Sequence, residues 1–202
     1  MNLKSFIGSV ALVTGSLFFH QANAGCKLTY DAAKTSVQWT AFKTNKKVPV
    51  KGKFTTFEVK GTKVDESLAN VFKDVNFSID SSKIDTTNPQ RDNTISKNFF
   101  QKWKKDGKIT GAVSQFKEES PTAGSFDLVL TLNEVTNTVP MTYTMDENGK
   151  LMAKGVLNIF DFNGVDSLKS LNKACKALHA PGSTWADMEV ELVSEFTKDC
   201  SK

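Results

Sequence analysis

The strongest constraint on this chain is a period of two. From Lys27 onward apolar and polar residues alternate, which is the repeat of a strand with one buried face and not the 3.6-residue repeat of a helix. Val71, Val75, Phe77 and Ile79 oppose Asp74, Asn76, Ser78 and Asp80. Phe126, Leu128, Leu130 and Leu132 oppose Asp127, Thr131 and Asn133, and Val139, Met141, Tyr143 and Met145 oppose Pro140, Thr142 and Thr144. Met188, Val190, Leu192 and Phe196 oppose Glu189, Glu191 and Glu195. Weaker strands fit residues 36–43, 47–60, 108–119 and 150–163, for a total of about eight.

The 47–60 segment changes face part-way. Val48, Val50 and Phe54 share one parity and Phe57 and Val59 the other, so a bulge or bend is expected near Thr55-Thr56. Asp146-Glu147-Asn148-Gly149 reads as a hairpin turn, and Glu134 to Asn137 as a weaker one, giving an up-and-down order. Two segments break the alternation. At Asn88-Pro89, Asn caps and Pro opens a helix that runs to about Trp103, with Ile95, Phe99 and Trp103 on one face. A second helix starts near Ser167, carries Leu168, Leu171, Cys175 and Leu178 at helical spacing, and stops at Pro181-Gly182. Both read as amphipathic lids.

Eight strands with one apolar face each bury those faces by stacking two sheets or by closing one. Closure also removes exposed edges, so the expected fold is all-β: an eight-stranded antiparallel barrel covered by two short helices. Its inward side chains would be Trp39, Val50, Phe54, Val75, Phe77, Ile79, Phe126, Leu128, Leu130, Met141, Tyr143, Met145, Met188, Val190 and Leu192. A barrel of this size can be filled by its own side chains or can hold one elongated ligand, and the pattern leaves both open.

Residues 1–24 read as a secretory signal peptide. Lys4 gives a positive start, Phe6 to Phe19 is an apolar run, and Ala22-Asn23-Ala24 is a small-x-small cleavage site. The run of 14 residues is short of the roughly 20 that span a bilayer. Residues 25–202 then form one domain, exported to the periplasm or secreted. Cys26 follows Gly25, so a lipoprotein anchored at Cys26 is the alternative, although Asn23 stands where a lipobox carries an aliphatic residue. Beyond Lys4 there are 25 Lys and Arg against 22 acids, with the lysines scattered among the acids. That pattern argues against a nucleic-acid partner.

Three cysteines meet the oxidising compartment, so one disulfide and one free thiol are expected. In an up-and-down barrel the first strand starts where the last one ends. Cys26 and Cys200 flank those two positions, whereas a strand of about a dozen residues, roughly 40 Å, separates Cys175 from Cys200. The expected bridge is therefore Cys26–Cys200. The spacing supports neither zinc nor haem, and no cofactor is expected.

Several pieces, in this order, resemble the YceI-like family: the signal peptide, Val37-Gln38-Trp39-Thr40-Ala41-Phe42-Lys43, Gly52-Lys53-Phe54, Ser78-Ile79-Asp80, Arg91-Asp92-Asn93 with Phe99-Phe100, and Leu130-Thr131-Leu132-Asn133-Glu134-Val135-Thr136. The resemblance implies a lipocalin-like barrel in the periplasm. It also implies binding of a polyisoprenoid or other long-chain hydrophobic or amphiphilic ligand in an apolar cavity, in some members as a homodimer. The helix from Ser167 and the cysteines depart from the family pattern.

Arg91 is the only arginine. With Asp92 it either meets a polar head group at the cavity mouth or pins its own loop. Catalysis finds little support. Ser170-Leu171-Asn172-Lys173 has the Ser-x-x-Lys spacing of penicillin-recognising enzymes, but Ser114-Gln115-Phe116-Lys117 has it too, and the partner motifs Ser-Asp-Asn and Lys-Thr-Gly are absent. The expected protein is a carrier and not an enzyme. A secreted interaction protein with a filled barrel is the second reading.

Overall fold

The computed structural model describes residues 25–104 and 107–201; the expected leader lies outside them. Ten strands form one antiparallel sheet: β1 (Lys27–Lys43), β2 (Val48–Phe54), β3 (Phe57–Lys60), β4 (Asn76–Asp80), β5 (Ile84–Asp85), β6 (Lys108–Ser120), β7 (Ala123–Leu132), β8 (Val135–Met145), β9 (Lys150–Asn158) and β10 (Thr184–Asp199). Hydrogen bonding orders them β3-β4-β6-β7-β8-β9-β10-β1-β2-β5. The sheet curls into a half-barrel around one apolar core.

The count of eight strands is corrected to ten, and both additions arise at the bend. Where the parity changes, the chain breaks into β2 and β3 and switches partners. β2 lies between β1 and a two-residue β5, while β3 pairs with β4. The Thr55 N–H donates to the Lys83 carbonyl (2.8 Å) and the Thr56 carbonyl accepts from the Asp80 N–H (3.2 Å). The ladder is therefore open, with β3 at one end and β5 at the other, and Thr55-Thr56 joins β3 to β2, the strand beside β5.

Alternation dictates the rest of the sheet. In β8, Val139, Met141, Tyr143 and Met145 are buried and every residue between them is exposed. β1 and β10 form the longest pairing, from Lys27↔Asp199 to Lys43↔Thr184, interrupted by a bulge after Asp31. There the Thr35 and Ser194 hydroxyls meet at 2.8 Å, which satisfies the buried Ser194. Past the strand ends Cys26 is bonded to Cys200, and Cys175 is free and buried. The β7–β8 turn lies at Asn133-Glu134, one step before the expected position. Both residues have positive φ, 49° and 66°, as a two-residue hairpin of matching twist requires.

Among the described residues four α-helices replace the expected two: α1 (Leu68–Phe72), α2 (Pro89–Asn98), α3 (Val165–Ala174) and α4 (Lys176–His179). Val71, expected on a strand, lies in α1; its spacing to Val75 suits either element, and β4 begins only at Asn76. α2 starts as its sequence implies, with Asn88 Oδ1 accepting from the Arg91 N–H (3.0 Å) and Pro89 in the first turn. It ends at Asn98, and a 3-10 turn over Phe100–Lys102 leads to Trp103. The second lid breaks at Cys175 (φ −104°, ψ 12°). The break shifts the helical phase, so Leu168, Leu171 and Cys175 are buried while Leu178 is 72 % exposed.

Candidate functional site

The strands turn their apolar faces toward a cavity of about 130 Å³. β1 and β2 contribute Val37, Trp39 and Phe54, while β3 and β4 contribute Phe57, Val59, Phe77 and Ile79. β6 and β7 add Ile109, Val113, Phe126, Leu128, Leu130 and Leu132. Met141, Leu157, Met188, Val190 and Leu192 come from β8, β9 and β10. α1 and the lid close it with Phe72, Phe99, Phe100 and Trp103, and the three lid rings pack edge to face with centroids 5.1 Å apart.

Three polar side chains on the wall are engaged elsewhere. Glu191 pairs with Lys154 (3.0 Å), Gln38 donates to Ser36 (3.2 Å), and Thr35 meets Ser194. Three polar groups of lining residues, Trp39 Nε1, Trp103 Nε1 and the Tyr30 hydroxyl, are buried with no hydrogen-bond partner. The wall thus offers hydrocarbon contact together with three unpaired donors.

Two further spaces adjoin this cavity, as their shared walls show. A space of about 50 Å³ shares Trp39, Phe99, Phe100, Ile159 and Met188 with it. That space shares Trp39, Ala41, Ile95, Leu171 and Thr184 with an outer cleft of about 420 Å³ between α2, α3 and α4. Trp39 borders all three. The cleft also carries Lys43, Arg91 and His179.

The interior was largely readable. Twelve of the fifteen inward residues line the cavity: Trp39, Phe54, Val75, Phe77, Ile79, Phe126, Leu128, Leu130, Met141, Met188, Val190 and Leu192. The other three are corrected. Val50 lies on the outer cleft, where it pairs with Ala41 near the lid end of β2, and Tyr143 and Met145 are core residues at the far end of β8, away from the lid. Tyr143 packs against Phe116 (5.0 Å), and burial together with Glu118 and Glu119 pushes its pKa up to about 12. The lid aromatics were missed as lining, although the helical spacing of Phe99 and Trp103 carried the signal.

Arg91 lies on the cleft and also pins its loop: Nε donates to Thr86 Oγ1 (2.8 Å) and Nη2 to the Thr86 carbonyl. Asp92 does not line the cleft. Its carboxylate accepts from the Thr86 N–H (2.9 Å) and hydroxyl, a loop-holding role that leaves it behind the arginine.

The YceI-like domain model matches residues 28–196, nearly all of the described chain. The chain belongs to the YceI-like family. Solved structures agree on the fold. BcnA of Burkholderia cenocepacia is 17 % identical over 82 % of this chain and 98 % of its own, with a TM-score of 0.58. A polyisoprenoid binding domain from Saccharophagus degradans, implicated in plant cell wall breakdown, is 11 % identical over 86 % and 98 %, with a TM-score of 0.56. The Campylobacter jejuni YCEI protein is 15 % identical over 74 % and 85 %, with a TM-score of 0.51. At these identities the likeness is one of fold. No curated protein matches the sequence.

In this YceI-like chain two of the short motifs meet across one ladder. Val37 and Trp39 of the first face Phe54 and Gly52 of the second across the β1–β2 ladder. A Cβ on Gly52 would lie 2.3 Å from the Trp39 ring, so the indole can lie across β2 only where that strand has no side chain.

Proposed function

We propose that this YceI-like protein is an exported carrier that holds the hydrocarbon chain of an isoprenoid or amphiphilic lipid inside the curled sheet. The cavity wall carries the reading: from β1 to the lid it is almost wholly apolar, with Glu191 and Gln38 held by other partners. The polyisoprenoid binding recorded for the Saccharophagus degradans domain of the same fold points the same way.

Size refines the proposal. About 130 Å³ is close to the roughly 150 Å³ of an apolar cavity that takes up one benzene, so the inner space alone suits a few carbons. A longer chain would extend past Phe99, Phe100 and Trp39 into the outer cleft, with its polar end beside Lys43 and Arg91. Each methylene moved from water to such a wall gains about 0.8 kcal/mol, which for a long chain outweighs the costs of association. The apolar run and small-x-small site of residues 1–24 support export. The Cys26–Cys200 bond supports an oxidising compartment and favours the soluble exported form over a lipid anchor at Cys26.

Organic extraction of the protein purified from its own cells, followed by mass spectrometry, tests this reading. A stoichiometric long-chain amphiphile is expected. Consistent recovery of none, under several growth conditions, contradicts the carrier and favours an interaction protein with a filled barrel.

A further inference from the structure

We propose that the lid end of the molecule is a docking surface for a bilayer that carries anionic lipid. Strand direction defines that end. Residues 44–47, 81–104 (β5 included), 107, 133–134 and 159–183 lie between the longer strands there, because Lys43 pairs with both Val48 and Thr184, Asp80 with Lys108, and Leu132 with Val135.

Two independent features gather on it. The first is apolar exposure. Eight large hydrophobic residues are exposed among those described, and five are at this end: Val48, Phe160, Val165, Leu178 and Trp185. Phe160, Val165 and Trp185 line one outward depression together with Lys169, and Leu178 stands on the rim of the outer cleft. The second is charge. Among the described residues the connections at this end hold ten Lys or Arg and five Asp or Glu. Those at the opposite end, residues 25–26, 61–75, 121–122, 146–149 and 200–201, hold two and five. The lysines outside the strands thus gather at one end of the molecule.

Apolar side chains surrounded by lysines match the chemistry of a bilayer surface, where acyl chains lie beneath anionic head groups. Trp185 suits that boundary. Its Nε1 donates to the Thr44 carbonyl (2.7 Å), and Lys47 Nζ lies 4.3 Å from its ring centroid. A second copy of the chain fits less well, because a two-fold contact would bring two positive ends face to face. Docking here would also set the outer cleft, and so the path past Trp39, against the membrane.

Co-sedimentation with vesicles of phosphatidylcholine alone, or mixed equally with phosphatidylglycerol, tests the proposal, and the variants control for any contribution of residues 1–24. The protein should bind the mixed vesicles in low salt, release from them as salt rises, and bind the neutral ones poorly. Lys169→Glu/Lys173→Glu/Lys176→Glu should weaken binding at least about tenfold, and Phe160→Ser/Leu178→Ser should weaken it too. Lys27→Glu/Lys117→Glu/Lys150→Glu changes net charge equally and should bind the mixed vesicles more tightly than the lid-end triple. Trp39 and Trp103 are buried, so quenching by brominated lipid should report Trp185. Equal weakening in both triple variants, no binding to mixed vesicles, or a lipid-free dimer that buries Phe160 and Leu178 would overturn the docking surface. Any of these can occur while extractable ligand stays in the cavity, so failure of docking is distinguishable from failure of the carrier reading.

Discussion

The Trp39 indole reaches across the β1–β2 ladder only because residue 52 has no side chain: a Cβ there would lie 2.3, 2.7 and 2.8 Å from three of its ring atoms. Gly52→Ala should therefore destabilise the protein by about 1–3 kcal/mol, read as a lower urea midpoint. Burial, and then the nearby Lys43 charge, lower the pKa of His179 beneath its ordinary 6.5, and its Nδ1 lies 3.1 Å from Thr184 Oγ1. The folded protein thus takes up this proton less readily than the unfolded chain. The stability this provides is complete above about pH 6.5 and is lost as pH falls through the depressed folded-state value. Melting temperature should accordingly drop on the acid side of neutrality, and His179→Gln should flatten that drop.

The disulfide acts on whole elements: it joins the start of β1 to the end of β10 and spans 174 residues of chain. Cys26→Ser or Cys200→Ser should cost about 2–5 kcal/mol by chemical denaturation, with the wild type matching the variants once reduced. This bridge was legible in the sequence because antiparallel pairing of first and last strands brings Lys27 opposite Asp199. Equally legible was the change of face between Phe54 and Phe57, though only as a bend. That the bend splits the strand depends on the β2–β5 and β3–β4 pairings, which are long-range. Local spacing misled in α1, where the interval from Val71 to Val75 serves helix and strand alike. It misled again at Leu178, because one residue of changed backbone at Cys175 turns the last helical segment outward.

At the scale of the molecule, alternation shows which residues point inward but not how far along the axis each one sits. That is why Tyr143 and Met145 share the parity of Met141 yet lie beyond the cavity. Whether the interior is filled or hollow is a matter of tens of Å³, set by how strand curvature and lid aromatics combine, and a one-dimensional pattern carries no such quantity. Native mass spectrometry of the wild type beside Leu128→Trp, which places a larger ring on the cavity wall, tests the carrier most directly. The account predicts a wild-type mass raised by one long-chain lipid per chain, and a folded Leu128→Trp variant from which that lipid is missing. Bare wild-type protein, or equal loading of the two proteins, would contradict it.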